Sequence, residues 1–166
     1  KKIGIVIEES GDSTYRITQG KYRSAEMAIE PDASAASYFF AAAAITQGKI
    51  KIEGLHRNSW QGDVQFADVL EELGARVTWG ANSIEVEGGR LDGGTFDLRD
   101  FSDTAQTLAA VAAFAESDIE IKGIGFIRAK ETDRIRAIVA ELRKCGVDAI
   151  EMPDGLLIKP DRWRLT

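Results

Sequence analysis

Residues 128–135, which read RAKETDRI, place three cations and two carboxylates at the start of a predicted helix. Apolar residues then recur at helical spacing, at Ile135, Ile138, Val139 and Leu142. The first-turn amides of a helix carry partial positive charge, so acids are favoured there. Arg134 is unfavourable at this position unless an anion lies in front of it. The cluster therefore predicts an anion-binding site.

Two aspartates precede the Ala-rich stretches of the chain, Asp32 and Asp103. An N-cap at such a position contributes about 1 kcal/mol, and we predict that role for Asp32. We expect Asp103 to approach Lys130, Glu131 and Arg134, because the two helices of one module can begin at the same end of a layer. Two carboxylates in a cationic pocket suit proton transfer, since neighbouring charges and desolvation can set their pKa values apart.

The chain contains two copies of one α/β plan, with a period of about seventy residues. Each copy reads as an Ala-rich helix, a strand, an amphipathic helix and a hairpin of two strands. In the first copy these segments are predicted at 33–45, 49–55, 64–73, 76–79 and 83–87. In the second they are predicted at 104–115, 118–123, 133–144, 147–151 and 156–159. Two earlier strands, 3–7 and 14–18, form a hairpin, and the paired glycines at 88–89 and 93–94 indicate loops.

The two copies differ in charge where the second helix begins. The first copy has RNSWQGD at residues 57–63, whereas the second supplies Lys130, Glu131 and Arg134. This asymmetry favours a functional site in the second copy. The spacing leaves another interpretation open, in which Lys130 and Arg134 only flank Glu131 and Asp133 on a solvated helix start.

Composition narrows the class of protein. A net charge of −6 opposes nonspecific nucleic-acid binding, which depends on basic patches. No apolar run approaches the roughly 20 residues of a membrane span, and no signal peptide is recognisable. The single cysteine excludes a disulfide within the chain. We expect a cytoplasmic protein with no nucleic-acid or membrane partner. We also expect a piece of a longer protein, because the chain begins without Met and in the middle of a pattern.

Three segments together resemble the 5-enolpyruvylshikimate-3-phosphate synthase family, the shikimate-pathway enzymes that glyphosate inhibits. They are EPDASAASYF at 30–39, QGD at 61–63 and RAKETDR at 128–134. The KETDR string is specific by itself, and it follows the other two in the correct order. The resemblance implies an α/β (α+β) fold of two lobes, each with three βαβαββ units that place Ala-rich helices inside and mixed sheets outside.

The expected organisation follows from the repeat and the resemblance together. Residues 1–30 would hold the closing hairpin of a preceding unit and a connector. Residues 31–89 would form the first βαβαββ unit and residues 90–160 the second, so that 31–160 make one partial lobe. Residues 161–166 would be a tail, and the missing lobe of the full-length enzyme would be a partner.

The implied reaction transfers the enolpyruvyl group of phosphoenolpyruvate to the 5-hydroxyl of shikimate 3-phosphate and releases phosphate, with no metal or organic cofactor. By the resemblance, Asp103 would take the hydroxyl proton and contact shikimate 3-phosphate, and Glu131 would handle protons at the phosphoenolpyruvate methylene. Lys130 would bind shikimate 3-phosphate, and Arg134 would hold phosphoenolpyruvate. Both substrates are anions, which suits preorganised cations beside carboxylates.

The chain departs from the family pattern in several places. Phe126 stands where the family often has an asparagine that contacts substrate. The family's N-terminal lysine-serine motif, its serine-serine-glutamine phosphate site and its late aspartate-histidine-arginine motif have no counterpart. We therefore expect no measurable synthase activity from the isolated chain.

Two other functions stay open at this point. One is the related enolpyruvyl transferase that acts on UDP-N-acetylglucosamine, although the KETDR string favours the shikimate enzyme. The other is a noncatalytic domain that keeps the module for anion binding or assembly.

Overall fold

The computed structural model of the protein describes residues 3–160, so the predicted tail at 161–166 lies outside the described residues. The strands are β1 (Ile7–Glu9), β2 (Tyr15–Ile17), β3 (Lys49–Glu53), β4 (Arg76–Trp79), β5 (Ser83–Glu87), β6 (Gly94–Asp97), β7 (Ile119–Lys122), β8 (Asp148–Met152) and β9 (Gly155–Lys159). The α-helices are α1 (Ala33–Thr46), α2 (Phe66–Glu72), α3 (Ala105–Ala112) and α4 (Arg134–Lys144). Three 3-10 turns lie at Gly62–Gln65, Ser102–Thr104 and Gly125–Ala129.

The strands form three separate sheets. The short hairpin β1–β2 pairs only with itself, β3, β5 and β4 form a three-stranded antiparallel sheet, and a four-stranded sheet has the order β6-β7-β9-β8. In the last sheet β6 and β7 are parallel, whereas the other neighbours are antiparallel. A parallel pair requires a crossover, and α3 provides it.

The helices pack between these two larger sheets. Helices α1 and α2 contact the three-stranded sheet, and α3 and α4 contact the four-stranded sheet. Helices α1 and α3 contact each other, and the buried hydroxyls of Ser37 and Thr107 lie 3.0 Å apart in that interface. The predicted α/β class is confirmed. None of the helices within residues 3–160 is long and apolar enough to cross a membrane.

The capping residues Asp32 and Gln47 define the two ends of helix α1. The Asp32 carboxylate accepts a hydrogen bond from the Ala35 amide at 3.0 Å, which confirms the predicted N-cap. At the other end Gln47 adopts a left-handed conformation, with φ at +54°, and its amide bonds to the Ala43 carbonyl. The helix is not buried all round, because Tyr38 and Phe39 are each 56% exposed.

Residues 90–160 contain one strand that the sequence patterns did not indicate. Residues 94–97 form β6, although the Gly93-Gly94 pair predicted a loop. The order from β6 to β9 is therefore β-α-β-α-β-β. Within residues 31–89 the order is helix, strand, helix, strand, strand, and no strand precedes α1 in that described range. The early hairpin is also shifted, with β1 at Ile7–Glu9 rather than 3–7.

Candidate active site

Asp103 lies in the 3-10 turn that leads into α3. Its neighbours Ser102 and Thr104 are buried, and the Thr104 hydroxyl donates to the Phe101 carbonyl at 2.9 Å, so the turn is anchored on the core. Thr104 occupies the N-cap of α3, and Asp103 makes no capping bond. Asp103 therefore does not cap α3. Its carboxylate is half exposed and points to other partners.

The segment that carries the basic residues is fixed at its start by the sheet and the core. Strand β7 ends before Gly123, which has φ at +76° and no room for a Cβ because the Asp97 carboxylate lies against it. The following turn, Gly125–Ala129, is anchored by Ile124 and Ile127, both 0% exposed. Lys130 therefore leaves this turn from a well-defined position.

The same segment ends at the N-terminus of α4. The Asp133 carboxylate accepts a hydrogen bond from the Arg136 amide at 3.0 Å, so Asp133 is the N-cap and Arg134 is the first helical residue. The amphipathic pattern placed the helix start within one residue of this boundary. Arg134 thus projects from the first turn of α4 toward the turn that carries Asp103.

The structure brings the four predicted site residues together in one chain of ion pairs. The Lys130 Nζ lies 2.5 Å from Asp103 Oδ1, and Arg134 Nη1 lies 2.7 Å from the same oxygen. Arg134 also donates to both carboxylate oxygens of Glu131, with Nη2 at 2.8 Å from Oε2 and 3.0 Å from Oε1. Charges therefore alternate along Glu131, Arg134, Asp103 and Lys130, and Arg134 is the central bridge.

Both carboxylates are held in the charged form. The hydrogen bond from Lys130 is the main cause that lowers the pKa of Asp103, and Arg134 adds to it. The pKa of Glu131 is lowered chiefly by a hydrogen bond from its own backbone amide and next by Arg134. The pKa values of both carboxyls are therefore shifted in the same direction, downward. Asp103 and Glu131 are both anions at neutral pH.

The anion expected in front of Arg134 is supplied by the protein itself. The carboxylates of Asp103 and Glu131 both pair with the Arg134 guanidinium, and the Arg134 side chain is only 22% exposed. Glu131 in contrast is 75% exposed and Lys130 is 29% exposed, so the cluster opens to solvent on one side. An anionic ligand can approach from that side and exchange with the carboxylates.

In the first copy a hydrogen bond, rather than ion pairs, joins the corresponding helix ends. There the Ser34 hydroxyl, at the start of α1, donates to the Asp63 carboxylate in the turn before α2. The second copy replaces this bond with the ion pairs from Asp103 to Lys130 and Arg134. Both copies thus tie two helix ends together, but only the second does so with cations.

Arg128 and Asp133 make contacts that the sequence did not predict. Arg128 Nη1 lies 2.8 Å from Asp133 Oδ2 and 2.7 Å from Glu151 Oε1, so Asp133 pairs with Arg128, whereas Glu131 pairs with Arg134. Aspartate is a preferred N-cap residue, and this preference is the sequence signal that could have assigned Asp133 to the start of α4. Phe126, in the 3-10 turn Gly125–Ala129, is 54% exposed. Among residues 3–160, no three Asp, Glu, His or Cys side chains are grouped closely enough to hold a metal ion.

Comparison with known proteins gives one consistent result. A family model described as EPSP synthase (3-phosphoshikimate 1-carboxyvinyltransferase) matches residues 1–166. A 3-phosphoshikimate 1-carboxyvinyltransferase from Nostoc punctiforme is 45% identical over 159 residues, which is 95% of this chain and 37% of that protein. The same enzyme from Pasteurella multocida is 50% identical over 132 residues, or 80% of this chain and 30% of that protein.

Solved structures show the same architecture. An EPSP synthase from Acinetobacter baumannii superposes with a TM-score of 0.77 at 25% identity and covers 96% of this chain and 39% of its own. The enolpyruvyl transferase NikO from Streptomyces tendae gives a TM-score of 0.72 at 20% identity over 96% of this chain and 38% of its own, which shows the shared fold. The chain thus spans less than two fifths of the length of these relatives. The chain belongs to the EPSP synthase (3-phosphoshikimate 1-carboxyvinyltransferase) family.

Proposed function

We propose that this chain supplies part of the active site of a 3-phosphoshikimate 1-carboxyvinyltransferase, which transfers the enolpyruvyl group of phosphoenolpyruvate to the 5-hydroxyl of shikimate 3-phosphate. The observation that carries the proposal is the ion-pair chain of Glu131, Arg134, Asp103 and Lys130. It presents two cations and two carboxylates at one solvent-open place. The reaction itself is inferred from the chain's membership of the family.

The two cations would be the substrate anchors. Lys130 would bind shikimate 3-phosphate, and Arg134 would hold phosphoenolpyruvate. Because both cations are engaged by carboxylates, each substrate would replace a carboxylate as the partner of its cation. The affinity for both substrates should consequently fall as ionic strength rises.

Asp103 would act as the base. Its carboxylate is charged at neutral pH and can accept the proton of the 5-hydroxyl, but the hydrogen bond from Lys130 makes it a weak base. When shikimate 3-phosphate draws Lys130 away, the pKa of Asp103 should rise toward its ordinary value. Substrate binding would thereby strengthen the base at the moment when it is needed.

Glu131 would deliver a proton to the methylene carbon of phosphoenolpyruvate. The hydroxyl oxygen forms a bond to C2 while C3 gains that proton, and the resulting tetrahedral intermediate loses phosphate and one methyl proton to restore the double bond. Glu131 begins as an anion, so it must first be protonated. Loss of Arg134 to phosphoenolpyruvate and the approach of the substrate's negative charge would both raise its pKa.

The test uses the full-length protein that contains this chain, with phosphate release as the readout. Glu131→Gln should abolish turnover and keep shikimate 3-phosphate binding, because the amide can hydrogen-bond but cannot transfer the proton. Lys130→Met should weaken shikimate 3-phosphate binding directly. Wild-type protein that binds shikimate 3-phosphate without turnover would instead support a noncatalytic anion-binding domain. Turnover with UDP-N-acetylglucosamine in place of shikimate 3-phosphate would support the related transferase.

Three further expectations belong with this proposal. The isolated chain should show no turnover, because the remaining substrate contacts would come from the missing lobe. Glyphosate should inhibit the full-length enzyme if it competes for the Arg134 guanidinium. A cytoplasmic location stays a prediction from the sequence.

A further inference from the structure

Arg128 has an unusual number of acceptors for a residue near the protein surface. Its guanidinium donates to Asp133 and Glu151, and also to two backbone carbonyls, from Nη2 to Met152 O at 2.6 Å and from Nε to Pro153 O at 3.2 Å. The side chain is 25% exposed. A planar guanidinium can serve four such acceptors at once because its five N–H groups point in fixed directions.

These acceptors come from two places that frame the site segment. Asp133 caps α4 immediately before Arg134, whereas Glu151 and Met152 end β8 and Pro153 lies in the turn between β8 and β9. Arg128 therefore fastens the N-terminus of α4 to the end of β8 and the start of that turn.

The same turn also holds the other end of the segment. The Asp154 carboxylate accepts from the Gly123 amide at 3.1 Å and from the Gly125 amide at 2.8 Å, and the Asp154 carbonyl accepts from the Ile124 amide at 3.1 Å. Residues 123–133 are thus attached to the β8–β9 turn at both ends. Lys130 and Glu131 lie between the two attachments.

The hydrogen bonds of Arg128 go to Asp133, Glu151, Met152 and Pro153 and not to Asp103 or Glu131, so it lies beside the ion-pair chain rather than in it. We propose that Arg128 is a positioning residue, which fixes Lys130 and Arg134 in their binding geometry by joining the α4 cap to the β8–β9 turn. The inference rests on the proposed function, because it concerns how the same site is assembled.

Replacement by lysine separates positioning from simple positive charge. Lysine keeps the charge and its field at the site, but its point charge cannot span two carboxylates and two carbonyls in one plane. If Arg128 only adds to the field that attracts anions, Arg128→Lys should behave as wild type. If Arg128 positions residues 123–133, the charge of a lysine alone should not maintain wild-type behaviour.

The experiment measures KM and kcat for both substrates on the full-length protein. We expect Arg128→Lys to lower kcat/KM by about ten- to hundredfold, because displacement of catalytic groups by about 1 Å has effects of this size. Both KM values should rise, since Lys130 and Arg134 would each be misplaced. Asp133→Asn keeps a helix cap but weakens the Arg128 pair, so its effect should combine with Arg128→Lys less than additively.

Arg57→Lys is the matched control. Arg57 follows β3 as Arg128 follows β7, and its Nη1 lies 2.6 Å from both oxygens of Asp68 while its guanidinium stacks 3.8 Å from the Trp79 ring. It belongs to the first copy, so Arg57→Lys should leave both KM values unchanged. Equal losses of kcat/KM in Arg57→Lys and Arg128→Lys, or wild-type kinetics in Arg128→Lys, would overturn the inference.

Two further variants keep the result unambiguous. If Arg128→Lys does not fold, Glu151→Gln removes one charged acceptor and should raise both KM values, and wild-type kinetics there would count against positioning. Lys130→Met tests the proposed function by itself. Unchanged shikimate 3-phosphate binding in Lys130→Met would overturn the function, whereas weak binding in Lys130→Met with normal Arg128→Lys kinetics would overturn only the positioning role.

Discussion

The proposed function gives Asp103 two tasks that require opposite basicity. Asp103 pairs with Lys130 and Arg134, and this role is best served by a carboxylate with a lowered pKa. As a base in the proposed reaction it needs a higher pKa. The conflict is resolved if the substrates take over the two cations. The stability contributed by Asp103 in the absence of substrate can be measured separately.

We predict that Asp103→Asn lowers the free energy of unfolding at pH 7 by about 0.2–1 kcal/mol, a range typical of exposed ion pairs, because the Asp103 side chain is half exposed. The pKa of Asp103 is lowered in the folded protein from an ordinary value of 3.8. Its stabilising effect is therefore full above that value and is lost as the pH falls through the lower folded pKa. Urea unfolding of both proteins at pH 7 and near pH 3 measures the difference, which should be small at the lower pH. A difference that grows on acidification would contradict the ion-pair explanation.

At the scale of the helices, the two copies differ both in how the inner helix begins and in how it is tied to its neighbour. The first copy has a side-chain cap at Asp32 and the Ser34–Asp63 hydrogen bond. The second has no side-chain cap on α3, and the aspartate near that position is used in the ion pairs. In the second copy the aspartate near the helix start therefore forms ion pairs instead of a cap.

The cap on α1 allows a direct measurement. Asp32→Ala should lower the free energy of unfolding by about 1 kcal/mol, because the Ala35 amide loses its acceptor. Asp32→Asn is the matched control and should be close to wild type, since asparagine caps as well as aspartate. Thermal unfolding of the three proteins compares them. Equal destabilisation by both substitutions would indicate that the charge of Asp32, rather than its cap, matters.

Gly62 couples the first copy to the site in the second. A Cβ at this position would lie 2.8 Å from the backbone oxygen of Asp100, close to the turn that carries Asp103. Gly62→Ala should therefore shift that turn, cost about 1–3 kcal/mol of stability as overpacking does, and weaken shikimate 3-phosphate binding by the full-length protein.

Gly48→Ala is the control for that substitution, because the nearest atom to its Cβ would be the Thr46 hydroxyl oxygen at 3.1 Å, on a side chain that can move. It should change binding little. If Gly62→Ala loses stability but binds shikimate 3-phosphate normally, the first copy does not support the position of Asp103. Titration calorimetry of the two variants separates these outcomes.

Periodic elements were predictable from the sequence, and contacts between distant segments were less so. Strands β4 and β5 lie where the alternation placed them, and α1 and α4 agree within one residue. Strand β6 was missed because it begins with glycine and has only four residues, and because its partner β7 lies across a helical crossover. Its pairing is a tertiary contact that no local pattern contains.

The site residues show the same division. The charges of Lys130, Glu131 and Arg134 were visible because they interrupt a helix start, and the approach of Asp103 was inferred from the repeat. The downward shift of both pKa values could not be predicted, because it depends on Arg134 bridging two carboxylates from separate segments. Arg128 could not be assigned a role from sequence, since two of its acceptors are backbone carbonyls much later in the chain, at the end of β8 and in the turn that follows.

At the scale of the whole molecule, the helix layer has an exposed apolar face. Tyr38 and Phe39 on α1 are each 56% exposed, and Phe114 after α3 is 49% exposed. Shallow apolar grooves of about 340 and 350 Å³ lie between α1 and α3 and between α3 and α4. Exposed apolar surface of this kind is typical of an interface.

We predict that the isolated chain of residues 1–166 self-associates through this face. Sedimentation velocity should show an average mass that rises with concentration, and Tyr38→Lys with Phe39→Lys should lower it, because charges oppose burial of the face. Trp60→Lys is the control, since Trp60 is 83% exposed but lies outside the helix layer. A chain that stays monomeric at every concentration would contradict the prediction.

The parallel pairing of β6 and β7 has a consequence for the order in which the protein folds. The antiparallel strands β7, β9 and β8 can form without β6, but Asp103 lies on the crossover between β6 and β7 while Lys130 follows β7. Pairs closed through a crossover form slowly because a long loop must be ordered first. The ion-pair chain should therefore be among the last contacts to appear during refolding. Local opening of the β6 edge would disperse it while most of the sheet stays intact.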